Sequence, residues 1–445
     1  MKKIAENILI TSFFFLALVF IFTLSRGDTF VNYGFSYAIS KGEIPYKDFN
    51  LVIPLFGPFI YSIGLLMYQN IITIYLEQAI MLTVFFKIVK KMIGERSILF
   101  LLFLLLPYPI AIVSVIFPGY NFLILFLFIL FLYCYKKEKN EIILGTILGL
   151  IFCTKQTIGL ILFLPTFYYL LNNKKKFLKM LIGYIIPIVI MIIYLLCTKS
   201  FSYFLDLCIL GLFDFGTKNQ QIDIYYLILL IIGIIYLLYR IFKDKKNILN
   251  YYALVFASVT IPIIDYYHVS LFLVVIFFFL IENITWNIKY NKYILLFIFS
   301  LNIIWCFVSY YFLEEPLIQN NNHFSLVINR KSYVTNSDNL LKYINTLDRE
   351  VIYFMRGSEN YYYKIINNKK INYFDLPNYG NYGYNGIEKM KNKITETKNV
   401  YYVLDRELLS NKDKNQQYIK ELGKYVINKS NKVKSIGIYD IYYKE

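Results

Sequence analysis

Between Phe13 and Phe312 the chain repeats one pattern: an apolar run of about twenty residues, a short polar or basic interruption, then another apolar run. At 1.5 Å per residue, such a run reaches across a hydrocarbon core of roughly 30 Å. The pattern therefore predicts transmembrane helices rather than amphipathic soluble ones. After Phe312 the texture changes. Residues 313–445 are rich in Asn, Lys and Tyr, and strand-like and helix-like runs alternate. Strands are predicted at 351–355 (VIYFM), 370–375 (KINYFD), 399–405 (NVYYVLD) and 434–443 (KSIGIYDIYY). Helices are predicted over NLLKYINTL, GIEKMKNKIT and NQQYIKELGKYVI. The chain thus reads as a membrane domain, residues 1–312, followed by a small α/β domain, residues 313–445.

Composition strengthens the first half of that reading. A chain of 445 residues ordinarily suggests two or three soluble domains, but 58% of this one is hydrophobic, only 17% is charged, and the mean hydropathy is +0.51. The net charge of +17 raises nucleic acid as a partner, and its distribution excludes it. Of the 25 Lys and Arg residues in 1–312, 19 fall in short clusters between apolar runs. These are Lys2-Lys3, Lys87 to Arg96, Lys136 to Lys139, Lys174 to Lys179, Arg240 to Lys246, and Lys289 with Lys292. Such clusters fix topology by staying in the cytoplasm.

Placing every cluster inside requires an even number of crossings between neighbours, which decides two ambiguous stretches. Residues 51–91 hold one span, preceded by a re-entrant or interfacial helix over LVIPLFGPFIYSIGLLMYQN. Residues 141–171, interrupted by Thr154-Lys155-Gln156, form a hairpin of two short arms with Lys155 recessed at its tip. About eleven transmembrane helices follow, at 7–24, 71–91, 97–116, 119–135, 141–153, 157–171, 177–197, 223–241, 248–264, 268–284 and 293–312. The N-terminus is then cytoplasmic and the C-terminal α/β domain extracytoplasmic. The first run ends in TLSRGD without a small-residue cleavage site and reads as an anchor.

On this topology Asp28, Asp48, Lys155, Asp206, Asp214, Asp223 and the Asp265–His268 cluster share the outer side, and Glu77 is the one clearly intramembrane acid. A transporter would instead carry polar groups near the midplane. Glu77 and Gln78 suit an interhelical hydrogen-bonding pair. All five cysteines, Cys134, Cys153, Cys197, Cys208 and Cys306, lie in or beside apolar runs, so no disulfide framework is indicated. Two histidines in the whole chain make a His-rich metal centre unexpected.

The first outer loop, residues 25–70, is the most informative segment. It reads DTFVNYGFSYAISKGEIPYKDFNLVIPLFGP from Asp28 to Pro58. An acid follows the first span, Tyr33, Tyr37 and Ala38 share a helix, and Gly42 precedes Pro45-Tyr46-Lys47-Asp48-Phe49. This pattern, with fourteen positions from Asp28 to Gly42, resembles the first loop of C-type (GT-C) membrane glycosyltransferases, which include protein O-mannosyltransferases and the lipid A aminoarabinose transferase. The likeness is dense over about thirty residues. The layout of residues 1–312 extends it loosely. Departures are Thr29 where many relatives carry a second acid, Asn50 to Leu55 where they carry charges and a double proline, and FPGYN, with Tyr120 and Asn121, where they often place an Asp.

The resemblance implies transfer of a sugar from a polyprenyl-phosphate donor to a surface glycan, lipid or protein acceptor, outside the cell. Such a reaction needs a general base at the membrane surface and cations for the departing lipid phosphate. Asp28 is the expected base. Lys155, His268, Asp48 and Tyr46 are expected on the donor phosphate side, and Tyr33 and Asp265 on the acceptor side. Asp28 also suits a helix N-cap, Asp48 a turn and Lys155 a snorkelling role. No cofactor is certain; a divalent metal and its ligands stay open. The alternatives are a lipid-linked oligosaccharide polymerase or ligase, and a transporter or flippase.

Overall fold

The computed structural model describes residues 2–22, 27–107, 113, 119–170, 173–218, 221–258, 260–261, 263–285, 288–312, 316–319, 322–324, 327–330, 337–355, 357–366, 381–410 and 417–445. The chain is mainly helical up to Phe312. It runs α1 (Lys2–Phe22), α2 (Gly27–Ser40), α3 (Phe56–Met67), α4 (Ile71–Ile93), α5 (Ser97–Leu105), α6 (Tyr120–Lys136), α7 (Glu141–Thr154), α8 (Gln156–Leu170) and α9 (Lys174–Cys197). A broken segment follows: α10 (Phe201–Phe204), a π-helical turn at Leu205–Leu210, and α11 (Gly211–Lys218). Then come β1 (Gln221–Ile222), α12 (Ile224–Lys243), α13 (Ile248–Ser258), β2 (Ile263–Ile264), α14 (Tyr266–Glu282) and α15 (Asn291–Phe312).

Among the described residues, five segments are long and apolar enough to cross a membrane: Ile4–Ile21, Ile71–Leu105, Lys174–Cys197, Ile224–Lys243 and Asn291–Phe312. This is a membrane protein. Five more of the expected spans coincide with shorter apolar helices, α6, α7, α8, α13 and α14. Two expected spans end early for local reasons. Within 97–116, helix α5 stops at Leu105 because Leu106 precedes Pro107 and takes the extended conformation (ψ 134°) that a following proline favours. Within 248–264, helix α13 stops at Ser258, and Ile263–Ile264 turns into a strand that pairs in parallel with Gln221–Ile222.

The 51–91 region contains one long helix, α4, preceded by the twelve-residue α3. At roughly 18 Å, α3 is too short to span. It turns Gly57, Pro58, Tyr61 and Leu65 inward and leaves Phe59, Ile63, Leu66 and Met67 exposed. Glu77 makes the kind of interhelical hydrogen bond expected of it. Its carboxylate accepts the Gly64 amide at 2.6 Å and so ties α3 to α4. The 141–171 region breaks at Lys155, whose extended backbone (φ −150°) separates α7 from α8.

Helix starts are chemically marked. Asn70, Asn140, Asn173, Asp223 and Asp265 each accept a backbone N–H of the first turn of α4, α7, α9, α12 and α14. Polar contacts also sort the helix ends. At one end Lys136 pairs with Glu282, Arg96 donates to the Ile284 carbonyl, Lys176 lies 3.6 Å from Glu141, Asn291 donates to Glu95, and the Arg240 Nε donates to Asn250. At the other, Tyr266 donates to the Val113 carbonyl and Asp223 N to the Ile264 carbonyl. The basic clusters at Arg96, Lys136, Lys176 and Arg240 thus share one end of the bundle.

Beyond Phe312 come β3 (Pro316–Gln319), β4 (Val327–Arg330), α16 (Ser337–Ile344), β5 (Glu350–Phe354), α17 (Gly357–Ile366), α18 (Gly386–Glu396), β6 (Val400–Asp405), α19 (Arg406–Ser410), α20 (Gln417–Lys429), β7 (Asn431–Ile436) and β8 (Tyr439–Lys444). The short β3 and β4 form an antiparallel pair. The main sheet has order β5-β6-β8-β7, with β5 and β6 parallel and the other pairs antiparallel. Ile352, Phe354, Val400, Tyr402, Leu404 and Tyr442 pack with Met390 and Ile394 of α18 and Leu422 and Val426 of α20. The alternate residues Tyr353, Val403, Tyr439 and Ile441 join Leu340, Ile344, Tyr362 and Tyr363 in the core that continues into the helical part. Strand alternation thus gives the sheet a helical layer on each side. The expected strand at 434–443 is instead a hairpin, because Gly437 (φ +57°) takes the left-handed conformation a two-residue turn needs. The helix α17 was not expected, and the strand predicted at 370–375 lies outside the described residues.

The tightest helix contact joins α7 and α9. An added Cβ at Gly145 would lie 2.0 Å from the Met180 carbonyl oxygen, at Gly149 2.3 Å from the Tyr184 oxygen, and at Gly183 2.1 Å from the Ile142 oxygen. Small residues let these backbones meet. Gly145→Leu is therefore expected to lower the thermal midpoint of the detergent-solubilised protein, at a cost of about 1–3 kcal/mol or more. Ile143→Ala, at an exposed neighbour, should leave it nearly unchanged, and size-exclusion thermal scans compare the two.

Candidate functional site at the Lys155 break

The break between α7 and α8 opens onto a cavity of about 100 Å³. Its lining includes Tyr120 from the start of α6, Lys155, Gln156, His268 from the first turn of α14, Val52 and Ile53 from the first loop, and Leu207 from the π-helical turn. Segments far apart in sequence therefore bring Lys155 and His268 to one chamber. This conformation is closed, because small-molecule sites usually begin near 300 Å³.

Lys155 enters the chamber with its ammonium over the Tyr120 ring, 5.2 Å from the centroid. Loss of hydration there pushes its amine down to about 8, against the pull of the Asp265 carboxylate, which favours the charged form. Asp265 is fixed in turn by three bonds. Its Oδ1 accepts from Tyr267 N at 3.0 Å and His268 N at 2.9 Å, and meets His268 Nδ1 at 2.7 Å. Burial alone would raise the Asp265 carboxyl, but the His268 and Tyr267 contacts hold it below the usual carboxylate range. The stabilisation from this pairing is present at neutral pH and lost as pH falls through that depressed value. Asp265 thus orients His268 through Nδ1 and leaves Nε2 uncommitted by that pair.

The first loop is built differently from expectation. Tyr46, expected at the donor phosphate, is fully buried and donates its hydroxyl to the Ile53 carbonyl at 2.9 Å, with its ring edge-on to Phe204. Its backbone is left-handed (φ +69°), a strained choice for a non-glycine residue, and the Ile53 bond holds it. Asp48 is exposed and closes the turn by accepting the Ile44 amide at 2.7 Å. Tyr33 lies buried between Tyr37 and Phe324. Asp28 stands in the first turn of α2, and its side chain lies outside the described residues. The structure therefore gathers Lys155, His268 and Asp265, and does not gather Tyr33, Tyr46 and Asp48 with them.

Sequence reasoning missed the support behind the chamber. Gln156 donates to the Cys208 carbonyl of the π-helical turn at 2.6 Å, and Cys208 Sγ reaches the Leu51 carbonyl at 3.5 Å. π-helical turns recur at functional sites, where they free backbone groups for other partners. The same turn is held from the C-terminal domain. Asp206 accepts from Lys389 Nζ at 2.5 Å and from Tyr384 N at 3.2 Å, and Asp214 accepts from Asn385 N at 3.1 Å. Gly383 (φ +77°) makes this approach possible, since a Cβ there would sit 2.4 Å from the Asp206 carboxylate. Asn50 adds a bond from the first loop to the Asn381 carbonyl, 3.0 Å away. Two acids beside an apolar run were the only sequence signal, and their partners lie well over a hundred residues away.

Comparison with protein-family models, with curated proteins and with solved structures gives no match for the chain. Among the described residues, no three His, Cys, Asp or Glu side chains converge, so no divalent ion is assigned a place.

Replacing Asp206 and Asp214 together by Ala removes the acceptors of three bonds to residues 384–389. Limited proteolysis within residues 381–389 should then accelerate severalfold, with the bundle still intact. Unchanged cleavage would show that the Asn50 bond to Asn381 suffices alone.

Proposed function

We propose that the protein is a C-type integral-membrane glycosyltransferase, moving a sugar from a polyprenyl-phosphate donor to an acceptor on the extracytoplasmic side. The observation that supports it best is the recessed Lys155 beside the Asp265-held His268. They share one chamber, roofed by the loop whose sequence resembles that superfamily. A cation in an apolar bundle is costly unless it has an anion to meet. A lipid-borne phosphate is an anion that arrives from the membrane itself.

In this reading the basic ends of the bundle face the cytoplasm and the Lys155 end faces outward. The chain makes about eleven crossings, several by short helices, and its C-terminal α/β domain is extracytoplasmic. Asp28, placed by the first-loop pattern, removes the proton of an acceptor hydroxyl. The acceptor oxygen bonds to the anomeric carbon as that carbon's bond to the phosphate oxygen breaks, and the electron pair leaves with the lipid phosphate. Lys155 and His268 Nε2 hold the developing charge. With no second carboxylate placed as nucleophile among the described residues, a single inverting displacement is the simplest course. The closed chamber requires the Val52–Ile53 loop or the Leu207–Leu212 segment to move when donor enters. The C-terminal domain, clamped to that segment, would help present the acceptor.

Two experiments test the reading in reconstituted membranes. Asp28→Asn keeps size and capping ability but removes basicity, so transfer should fall by about 10²–10⁴ at equal abundance. Retention of more than about half the activity would move the base elsewhere. The second concerns Lys155. An amine that titrates near 8 loses its charge as pH rises, so donor-phosphate binding should weaken from about pH 8 upward. Lys155→Arg stays charged and should abolish that decline.

A further inference from the structure

A larger cavity, of about 720 Å³, lies away from the Lys155 chamber. It is a groove between α8 and α13, walled by Leu164 and Pro165 on one side and by Ile248, Tyr251, Leu254, Val255 and Ser258 on the other. The five α13 positions fall at helical spacing, so one face of α13 forms the groove floor for roughly 15 Å. On the α8 side, Phe163 packs its ring on Tyr184 of α9, with centroids 4.5 Å apart. The largest side chain of that turn is thereby engaged elsewhere, and Leu164 stands 59% exposed at the groove wall.

The groove is apolar along its length and basic at one end. Lys245 and Lys246 line that end, on the exposed connection between α12 and α13. The Tyr251 hydroxyl donates to the Lys245 carbonyl at 3.0 Å and pins this connection over the groove, while the Lys245 ammonium lies 5.9 Å from the Phe242 ring centroid. Lys243 and Asp244 are the neighbouring charges, and both are exposed. A hydrocarbon slot capped by two ammonium groups matches a molecule with an acyl chain and an anionic head.

We propose that this groove binds an anionic glycerophospholipid from the leaflet at the basic end of the bundle. One acyl chain lies along α13, and the phosphate sits between Lys245 and Lys246. The site is separate from the Lys155 chamber and does not depend on the function proposed for it.

The test uses the full-length protein in nanodiscs with photoactivatable phosphatidylglycerol, compared with the matching phosphatidylcholine probe. Labelling should map to peptides containing Leu164 and residues 248–258. Two lysines near a membrane surface favour the anionic probe by roughly thirtyfold. Lys245→Gln with Lys246→Gln should remove that preference, and Leu254→Trp, which fills the slot, should lower labelling by both probes. Equal labelling of the wild type by the two probes would overturn the proposal, as would an unchanged preference in the double variant. Displacement of the probe by polyprenyl phosphate at lower concentration than by unlabelled phosphatidylglycerol would also overturn it.

Discussion

A positive charge inside an apolar bundle sets the terms for the surrounding structure. Lys155 cannot be left without compensation in a medium of low dielectric. The fold answers with the Tyr120 ring face beneath its ammonium and the field of Asp265 nearby. Each answer has its own support. Asp265 is held by the start of α14, and Gln156, next to Lys155, is held by the π-helical turn. The hairpin that carries the lysine is held from behind by the glycine-lined contact of α7 with α9. Removing any of these leaves the charge in place and weakens what balances it.

Much of this was legible because membrane helices announce themselves by length and by what interrupts them. Thr154-Lys155-Gln156 in the middle of an apolar run marked the break, and the Asp265–His268 cluster marked the outer end of a span, though not that Asp265 caps α14. Prolines and glycines at 54–64 likewise marked a short helix beside the long α4. Distances through space were not legible. Tyr46 looked available in a loop motif, yet its hydroxyl closes the loop on Ile53. Glu77 was marked as an acid that bonds to another helix, but its partner, the amide of Gly64 thirteen residues back, was not legible.

The C-terminal part shows the same division. Short runs rich in Val, Ile, Tyr and Phe marked the strands at 351–355 and 399–405. They did not reveal that Gly437 folds one apparent strand back on itself, because the residues on either side keep strand-like character. Helix α17 carries three tyrosines in a row, a composition that suits strands as well as helices, and only tertiary packing against α2 and the sheet decides between them.

The clamp between Asp206 and Lys389 joins residues 183 positions apart. A ribosome finishes the helices around Asp206 and Asp214 long before it makes Tyr384, Asn385 and Lys389. During that interval both carboxylates must remain at a wet surface, where an unpaired acid costs little. Assembly is therefore ordered by the chain itself: the bundle forms first, with its π-helical turn unsecured, and a segment made much later fastens the wall of the chamber.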